Sequence, residues 1–441
     1  MKKYLGLTSG IGMFAGASIV LSASALAGAG DPAAVDWSKV PTTEIGLFWP
    51  GQSTYDYLIS PRHKRADLQT REGEACVDCH KGEEKEIGNK LVVEGDLEPM
   101  PVEGKNGFIN LKFQVAYDDN DAYFRFQWKT LNNYPGWAHP YYRYDGKAWK
   151  VYGYPKLDAV VQDGEQPGIY EDRMSMMIDD GKVENYAKQG CWITCHDGQR
   201  DNPDRPTTDE VKANALFKYL KKKDVRKYLP STRTDGSSWD KGKTPEEIAK
   251  IKAAGGFLDL MQWRGHRSNP VGMSDDFYVL EYRNSDAGKN PFSSNFDKKA
   301  KHPKYMYDEK KFGKKFVRVE DIRKMETALV RERNAVPFDP NAGWKEGDLI
   351  PKYVISREDA KGSAADNNRS KGVWKDGVWT VVWARKLGLT NPDDKALKEG
   401  GVYTFGFAAH DDNITTRGHH VSFPVSIGFG AKADIEATKL N

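Results

Sequence analysis

Four cysteines are all that this 441-residue chain contains, and they fall into two short runs that each end in histidine: Cys76-Val77-Asp78-Cys79-His80 and Cys191-Trp192-Ile193-Thr194-Cys195-His196. No other feature constrains the chain as tightly. A pair of thiols followed at once by an imidazole is what covalent haem attachment requires: each thiol adds to a porphyrin vinyl group, and the adjoining imidazole reaches the iron. The first run has the standard two residues between its thiols; the second has three, a less common spacing. Two local disulfides, or one zinc site built from all four thiolates, would also use every cysteine, but neither explains a histidine after both pairs. The motifs therefore predict two covalently bound haems c, with Cys76, Cys79, Cys191 and Cys195 as attachment points and His80 and His196 as proximal iron ligands. No other metal is expected.

Haem c requires an exported chain, and the N-terminus reads as a leader. Lys2 and Lys3 form a charged start, Leu5 to Leu21 is an apolar run diluted by glycine and alanine, and Ala25-Leu26-Ala27 is a small-x-small cleavage site. Residues 1–27 read as a removed signal peptide, with Ala23-Ser24-Ala25 and Ala27-Gly28-Ala29 as other possible cuts; a retained anchor fits less well, because the run is short and broken by glycine. The mature protein is expected in the periplasm or outside the cell, with no membrane span. A formal charge of +3, reduced by removal of the two leader lysines and offset by haem propionates, gives no case for nucleic acid as a partner.

Period-two alternation marks the strands. Leu111, Phe113, Val115 and Tyr117 alternate with polar or small residues, as do Ala122, Phe124, Phe126 and Trp128, and the acidic turn 118–121 between them predicts an antiparallel hairpin. A second hairpin is expected around Asp376-Gly377, between Gly372 and Trp383. Met174, Met176 and Ile178 continue the period-two pattern toward the second motif. Further strands read at Ile45 to Trp49, Phe257 to Trp263, Phe277 to Arg283, Tyr353 to Ser356, Val402 to Ala409 and Val421 to Phe429. Between about 205 and 256 the pattern turns helical: Thr207 and Glu210 form a capping box, and Thr244-Pro245-Glu246-Glu247 opens a second helix. Residues 284–345 read mostly as loop, and the basic run from Lys298 to Lys315 reads as a solvated loop or a docking patch for an acidic partner.

Histidines outside the motifs are candidates for the far side of each iron. His63 stands 13 residues before Cys76 and is the choice for the first iron. His410 and His419 flank a loop between two strands, so with His420 they bring imidazoles to one end of a sheet; His419 is the choice for the second iron, with His410 and His266 as competitors.

The hairpins and their order resemble the haem-binding gamma subunits of ethylbenzene dehydrogenase and dimethylsulfide dehydrogenase, which belong to type II molybdenum enzymes of the DMSO reductase superfamily. The matching pieces are Leu111 to Trp128, Glu171 to Asp179, Leu260 to Asn269, Gly372 to Arg385 and Phe405 to Pro424. The resemblance implies a mainly β protein, an immunoglobulin-like or DOMON-like β-sandwich holding haem. In b-type members the iron is held by a Met and a Lys. Here His419 stands before His420-Val421-Ser422 where that lysine would be, and the methionine strand leads into the second motif, so the chain looks like a dihaem c-type branch in which His196 replaces the methionine. The implied organisation is a leader at 1–27, a segment carrying the first motif at 28–107, the sandwich at 108–430 with a helical insertion at about 205–256, and a tail at 431–441. The expected role is electron relay rather than catalysis, toward a molybdenum/iron-sulfur oxidoreductase or another cytochrome. A haem enzyme with one open iron, and a haem-based sensor, are the competing readings.

Overall fold

The structure is a computed structural model, and it describes residues 29–285, 287–389, 391–415 and 417–440. The expected leader and its cleavage site lie outside these residues. The main sheet contains β1 (Thr43–Phe48), β2 (Phe108–Tyr117), β3 (Asp121–Lys129), β4 (Arg173–Asp179), β5 (Leu258–Arg264), β6 (Asp275–Val279) and β7 (Arg283–Ser285). Its remaining strands are β8 (Asn368–Lys375), β9 (Val378–Lys386), β10 (Gly401–His410), β11 (His420–Val421), β12 (Val425–Phe429) and β13 (Ile435–Lys439). The helices that bear on the site are α1 (Tyr55–Leu58), α2 (Asp67–Arg71), α3 (Cys76–His80), α4 (Glu84–Leu91), α5 (Tyr186–Gln189), α6 (Thr208–Ala213), α7 (Ala215–Leu220) and α8 (Pro245–Ala253).

Both expected hairpins form, each for a local reason. In β2–β3 the Asp118 carboxylate accepts from the backbone N–H groups of Asn120 and Asp121, both at 2.8 Å, and sets a register in which Phe113 faces Phe126 and Val115 faces Phe124. In β8–β9 both turn residues are left-handed, Asp376 at φ 51° and Gly377 at φ 80°, as a two-residue turn requires if it is to follow the strands' twist.

The strands form one 13-stranded sheet, in the order β8-β9-β3-β2-β1-β11-β10-β4-β5-β6-β7, with β12 and β13 branching from β10 and β2. The sheet folds over on itself, so the chain is mainly β and a sandwich whose two faces share one core. Trp263 of β5 packs edge-on against Trp379 of β9 at 4.9 Å, and Phe407 of β10 meets Phe113 of β2 at 4.8 Å. A fully buried Arg385–Asp259 ion pair of 2.8 Å ties β9 to β5 across the fold. β1, from the N-terminal segment, and β13, from the tail, are both strands of this sheet and add side chains to its core.

The helical stretch covers the outer face of β4 to β6. Val211, Leu216, Phe217 and Ile248 pack there on Leu258, Leu260, Phe277 and Val279. The capping box expected at Thr207 forms, and the helix start at Thr244 is a capping box as well. One difference from the sequence reading is a break at Asn214, whose side chain accepts from the Leu216 and Phe217 N–H groups and starts α7 as a separate helix. A second difference lies in 284–345. Strands of two or three residues, such as Tyr305–Tyr307 paired with Ala335–Pro337, build a satellite unit with an aromatic core around Tyr141, Tyr307 and Leu349. Strands this short show no period-two signal, so the segment reads as loop.

Candidate functional site

The first motif forms the short helix α3, cradled by α1, α2 and α4 against the outside of β1. Gly88 allows that close packing: a Cβ there would lie 2.0 Å from the Gly107 carbonyl oxygen at the entry to β2. The helices enclose a cavity of about 550 Å³, lined by Cys76, Cys79, His63 and His80 together with apolar side chains that include Phe48, Leu58, Ile87, Trp192 and Phe423. This is the size and composition of a cofactor site, for which about 300–1,000 Å³ is usual.

The two imidazoles are held alike. The His63 Nδ1–H donates to the Leu58 carbonyl at 3.2 Å, and the His80 Nδ1–H donates to the Glu83 carboxylate at 3.0 Å. Each ring therefore keeps its Nε2 lone pair for a metal, with the other nitrogen fixed by a hydrogen bond, as in most metal-ligating histidines. The rings are 6.2 Å apart, centroid to centroid, at 25°. Two imidazoles on opposite sides of one metal, each nitrogen about 2.0 Å from it, bring their centroids to about 6 Å. Burial holds the His63 pKa below its ordinary value, which favours the neutral ligand form. Burial also pushes the Cys76 thiol up to about 12, so it stays as S–H, the form that adds across a vinyl group. The residues fit a covalent haem.

The second motif has a different setting. Gly190, at φ 59°, turns the chain from α5 into a 3-10 turn over Gly190–Thr194, and Trp192 is buried with Phe48 and Phe423 in the wall of the first cavity. Cys191 shares this apolar cluster with Cys76. Cys195 lies on the other side and lines a pocket of about 70 Å³ whose other walls carry Arg200, Arg226, Lys227, Arg283, Arg417 and His419. Thus Cys195 and His419 share a pocket, and its cationic lining matches a group bearing propionates. In chemistry the donors fit a second haem. In volume they do not, unless the basic side chains move outward. His196 is fully buried, stacked on Tyr228 at 3.8 Å, and its Nε2–H donates to the Ile193 carbonyl at 3.1 Å while Nδ1 lies 3.5 Å from Asp56.

The loop between β10 and β11 is braced from beneath. Arg417 makes a two-pronged bond to the buried Glu98 carboxylate at 2.9 and 3.0 Å, and Glu98 also accepts from the Trp49 indole at 2.9 Å. His410 and His419 stack at 4.9 Å, and burial holds the His410 pKa well below its ordinary value. His266 lines neither the cavity of Cys76 and Cys79 nor the pocket of Cys195. It sits 6.0 Å from His139, its Nδ1–H donating to the Trp137 carbonyl at 2.9 Å. His139 is fully buried with neither ring nitrogen hydrogen-bonded. A single histidine in an Ala-His-Pro loop carries no motif, and nothing in the sequence singles it out. Nearby, burial opposes ionisation of Glu171, yet Arg267, Arg173 and Arg264 hold its carboxyl down to about 2.

The four thiols are free and do not gather at one metal-sized point among the described residues. No helix among those residues is long and apolar enough to cross a membrane.

The chain is 27% identical over 413 residues to cytochrome c-552 of Stutzerimonas stutzeri, covering 93% of each protein. It is also 25% identical over 173 residues to cytochrome c-551 of Rhodocyclus tenuis, which covers 38% of this chain and 58% of that one. Residues 34–422 match the family described as ethylbenzene dehydrogenase. The chain belongs to the ethylbenzene dehydrogenase family.

Proposed function

We propose that this chain is an exported dihaem c-type cytochrome that relays electrons between protein partners. The observation that carries the reading is the cavity in which His63 and His80 oppose each other at 6.2 Å beside two thiols. A haem bound there supplies an iron that takes up and releases one electron. Cys76 and Cys79 would tether the porphyrin, His80 and His63 would hold the iron, and Phe48, Trp192 and Phe423 would keep water from it. An iron held by two imidazoles would change charge with little rearrangement and leave no place for a substrate.

At the second motif Cys191 and Cys195 would attach a second haem, and His419, which shares the Cys195 pocket and stacks on His410, would help to hold its iron. His196 would be the other residue to hold that iron, giving up its hydrogen bond to the Ile193 carbonyl. His266 is set aside, because it belongs to the His139 neighbourhood. The two cytochromes to which the chain is similar, and its family, support electron transfer as the role. The partner is another redox protein, either a molybdenum/iron-sulfur oxidoreductase or a cytochrome.

The test is a redox titration of the purified protein with absorption spectra in both states, with and without carbon monoxide. The relay reading expects two one-electron waves, low-spin spectra throughout and no carbon monoxide adduct. A high-spin iron that binds carbon monoxide would favour the enzyme reading instead.

A further inference from the structure

Between Lys212 and Lys227 the chain carries seven cationic side chains and one carboxylate, Asp224, although the protein as a whole is nearly balanced at 66 basic and 63 acidic residues. The fold gathers these cations on one face. An open pocket of about 380 Å³ on α6, α7 and the segment after them is lined by Lys212, Lys218, Lys221, Lys222 and Lys223 around Phe217, with no acidic side chain among its walls. Lys218, Lys221 and Lys223 are exposed and pair with no carboxylate among the described residues, while Lys212 lies 3.6 Å from Asp209. Asp224 is engaged elsewhere: it accepts from Arg226 Nε at 2.9 Å and from the Tyr282 hydroxyl at 2.6 Å. A cation near a helix C-terminus complements the helix dipole, which accounts for Lys218 in the last turn of α7 but not for three more lysines beyond it. Tyr219, on the same helix, is 63% exposed and adds the aromatic contact that interfaces favour.

The basic strip leads to the second haem motif. The Lys227 ammonium donates to Thr194 Oγ1, inside the motif, at 3.3 Å, and Arg226 and Lys227 line the pocket of Cys195. The other basic run, Lys298 to Lys315, is partly neutralised, because Lys311, Lys314 and Lys315 pair with Asp308, Asp321 and Glu309, and it lines neither motif's cavity.

We propose that the lysine face from Lys218 to Lys227, with Tyr219, is the docking surface for an acidic redox protein, which exchanges electrons at the second motif. The proposal rests on the relay reading and names the chemistry of its partner. Clustered like charges repel one another in the free protein, and a complementary acidic face relieves that repulsion and speeds encounter.

The test uses the purified holoprotein and, as probe, a reduced acidic plant-type [2Fe–2S] ferredoxin. The cluster gives up one electron and a haem iron passes from Fe(III) to Fe(II), with no bond made or broken. Affinity is read by calorimetry and the rate by stopped-flow absorption. Binding should weaken by about tenfold between about 20 and about 200 mM sodium chloride. Lys218→Glu/Lys221→Glu/Lys223→Glu should lower the association rate by about tenfold or more at the lower salt, with haem spectra and potentials unchanged. Lys298→Glu/Lys299→Glu/Lys304→Glu, on the other basic run, should leave both readings near wild type. Should the first triple variant fail to fold, Lys218→Gln/Lys221→Gln/Lys223→Gln decides, with a smaller loss of the same sign. Equal losses in the two faces, no loss in the α7 face, or salt-independent binding would overturn the proposal. So would binding to phosphatidylserine vesicles but not to ferredoxin, which would assign the face to a membrane. A reversible two-wave redox titration beside an unaffected α7 variant would leave the relay standing and remove this surface from it.

Discussion

The two motifs share two cysteines followed at once by histidine and have very different surroundings. The first is a half-exposed helix laid over β1, its cavity of about 550 Å³ assembled from short helices. The second is a 3-10 turn directly after α5, wedged into the sandwich, with a pocket of about 70 Å³ beside Cys195. The difference teaches that the motif specifies attachment chemistry, while the elements around it decide how much room and which ligands an iron meets. The motifs also meet, because Trp192 of the second is a wall of the first.

That shared wall carries the largest expected effect. Trp192→Ala should destabilise the protein by about 3–5 kcal/mol, the usual cost of emptying a buried Trp site, and should shift the spectrum of the first haem although the residue belongs to the second motif. Truncation of the half-buried Val77 in the first motif should cost about 1 kcal/mol. Denaturant unfolding and absorption spectra check both, and equal costs would erase the contrast.

The next effect separates the sites. Arg417→Met leaves the buried Glu98 carboxylate without its cation, at a cost of about 3–5 kcal/mol. Because Arg417 braces the turn carrying His419, it should perturb the second haem alone. Loss of the first haem's signal in this variant would mean that the two sites are not separately supported.

Axial ligands sharpen the comparison further. His63→Ala removes the partner of His80, and the first iron should become high-spin and bind carbon monoxide. His419→Ala should leave the second iron low-spin, because His410 stacks on His419 at 4.9 Å and can take its place. Electron paramagnetic resonance distinguishes the two outcomes.

Much of this was legible in the chain because it is local. The β2–β3 and β8–β9 hairpins follow from period two and their turn residues, the helix start at Thr207 from its capping box and that at Thr244 from the proline in its first turn, and the two Cys-His runs are visible in their spacing. His63 was legible as a candidate by its position before Cys76. The long-range features were not. That the sheet would fold over and pair Asp259 with Arg385 across more than a hundred residues leaves no mark in a window of sequence. The same holds for Trp192 as a shared wall, and for His139 beside His266. The satellite strands within 284–345 are too short to show a period.

A smaller effect concerns acid. The folded Glu171 carboxyl titrates at about 2, below its ordinary 4.5. The stability it contributes is present above about pH 4.5 and is lost as pH falls toward 2. Glu171 anchors the Arg264–Arg267 turn through the N–H groups of His266 and Arg267, both at 2.9 Å, and its partners Arg173 and Arg264 neighbour His410. The second haem's spectrum should therefore change at a higher pH than the first in an acid titration. Simultaneous change would show one cooperative unit.

The most direct test of the central claim, two covalent haems held by two separate motifs, is the intact mass of the purified mature protein beside Cys76→Ala/Cys79→Ala and Cys191→Ala/Cys195→Ala. The account predicts two haem masses on the wild type and one on each double variant, with nothing released by acid-acetone extraction of the wild type. A wild type carrying a single covalent haem that is unaffected by Cys191→Ala/Cys195→Ala would contradict it.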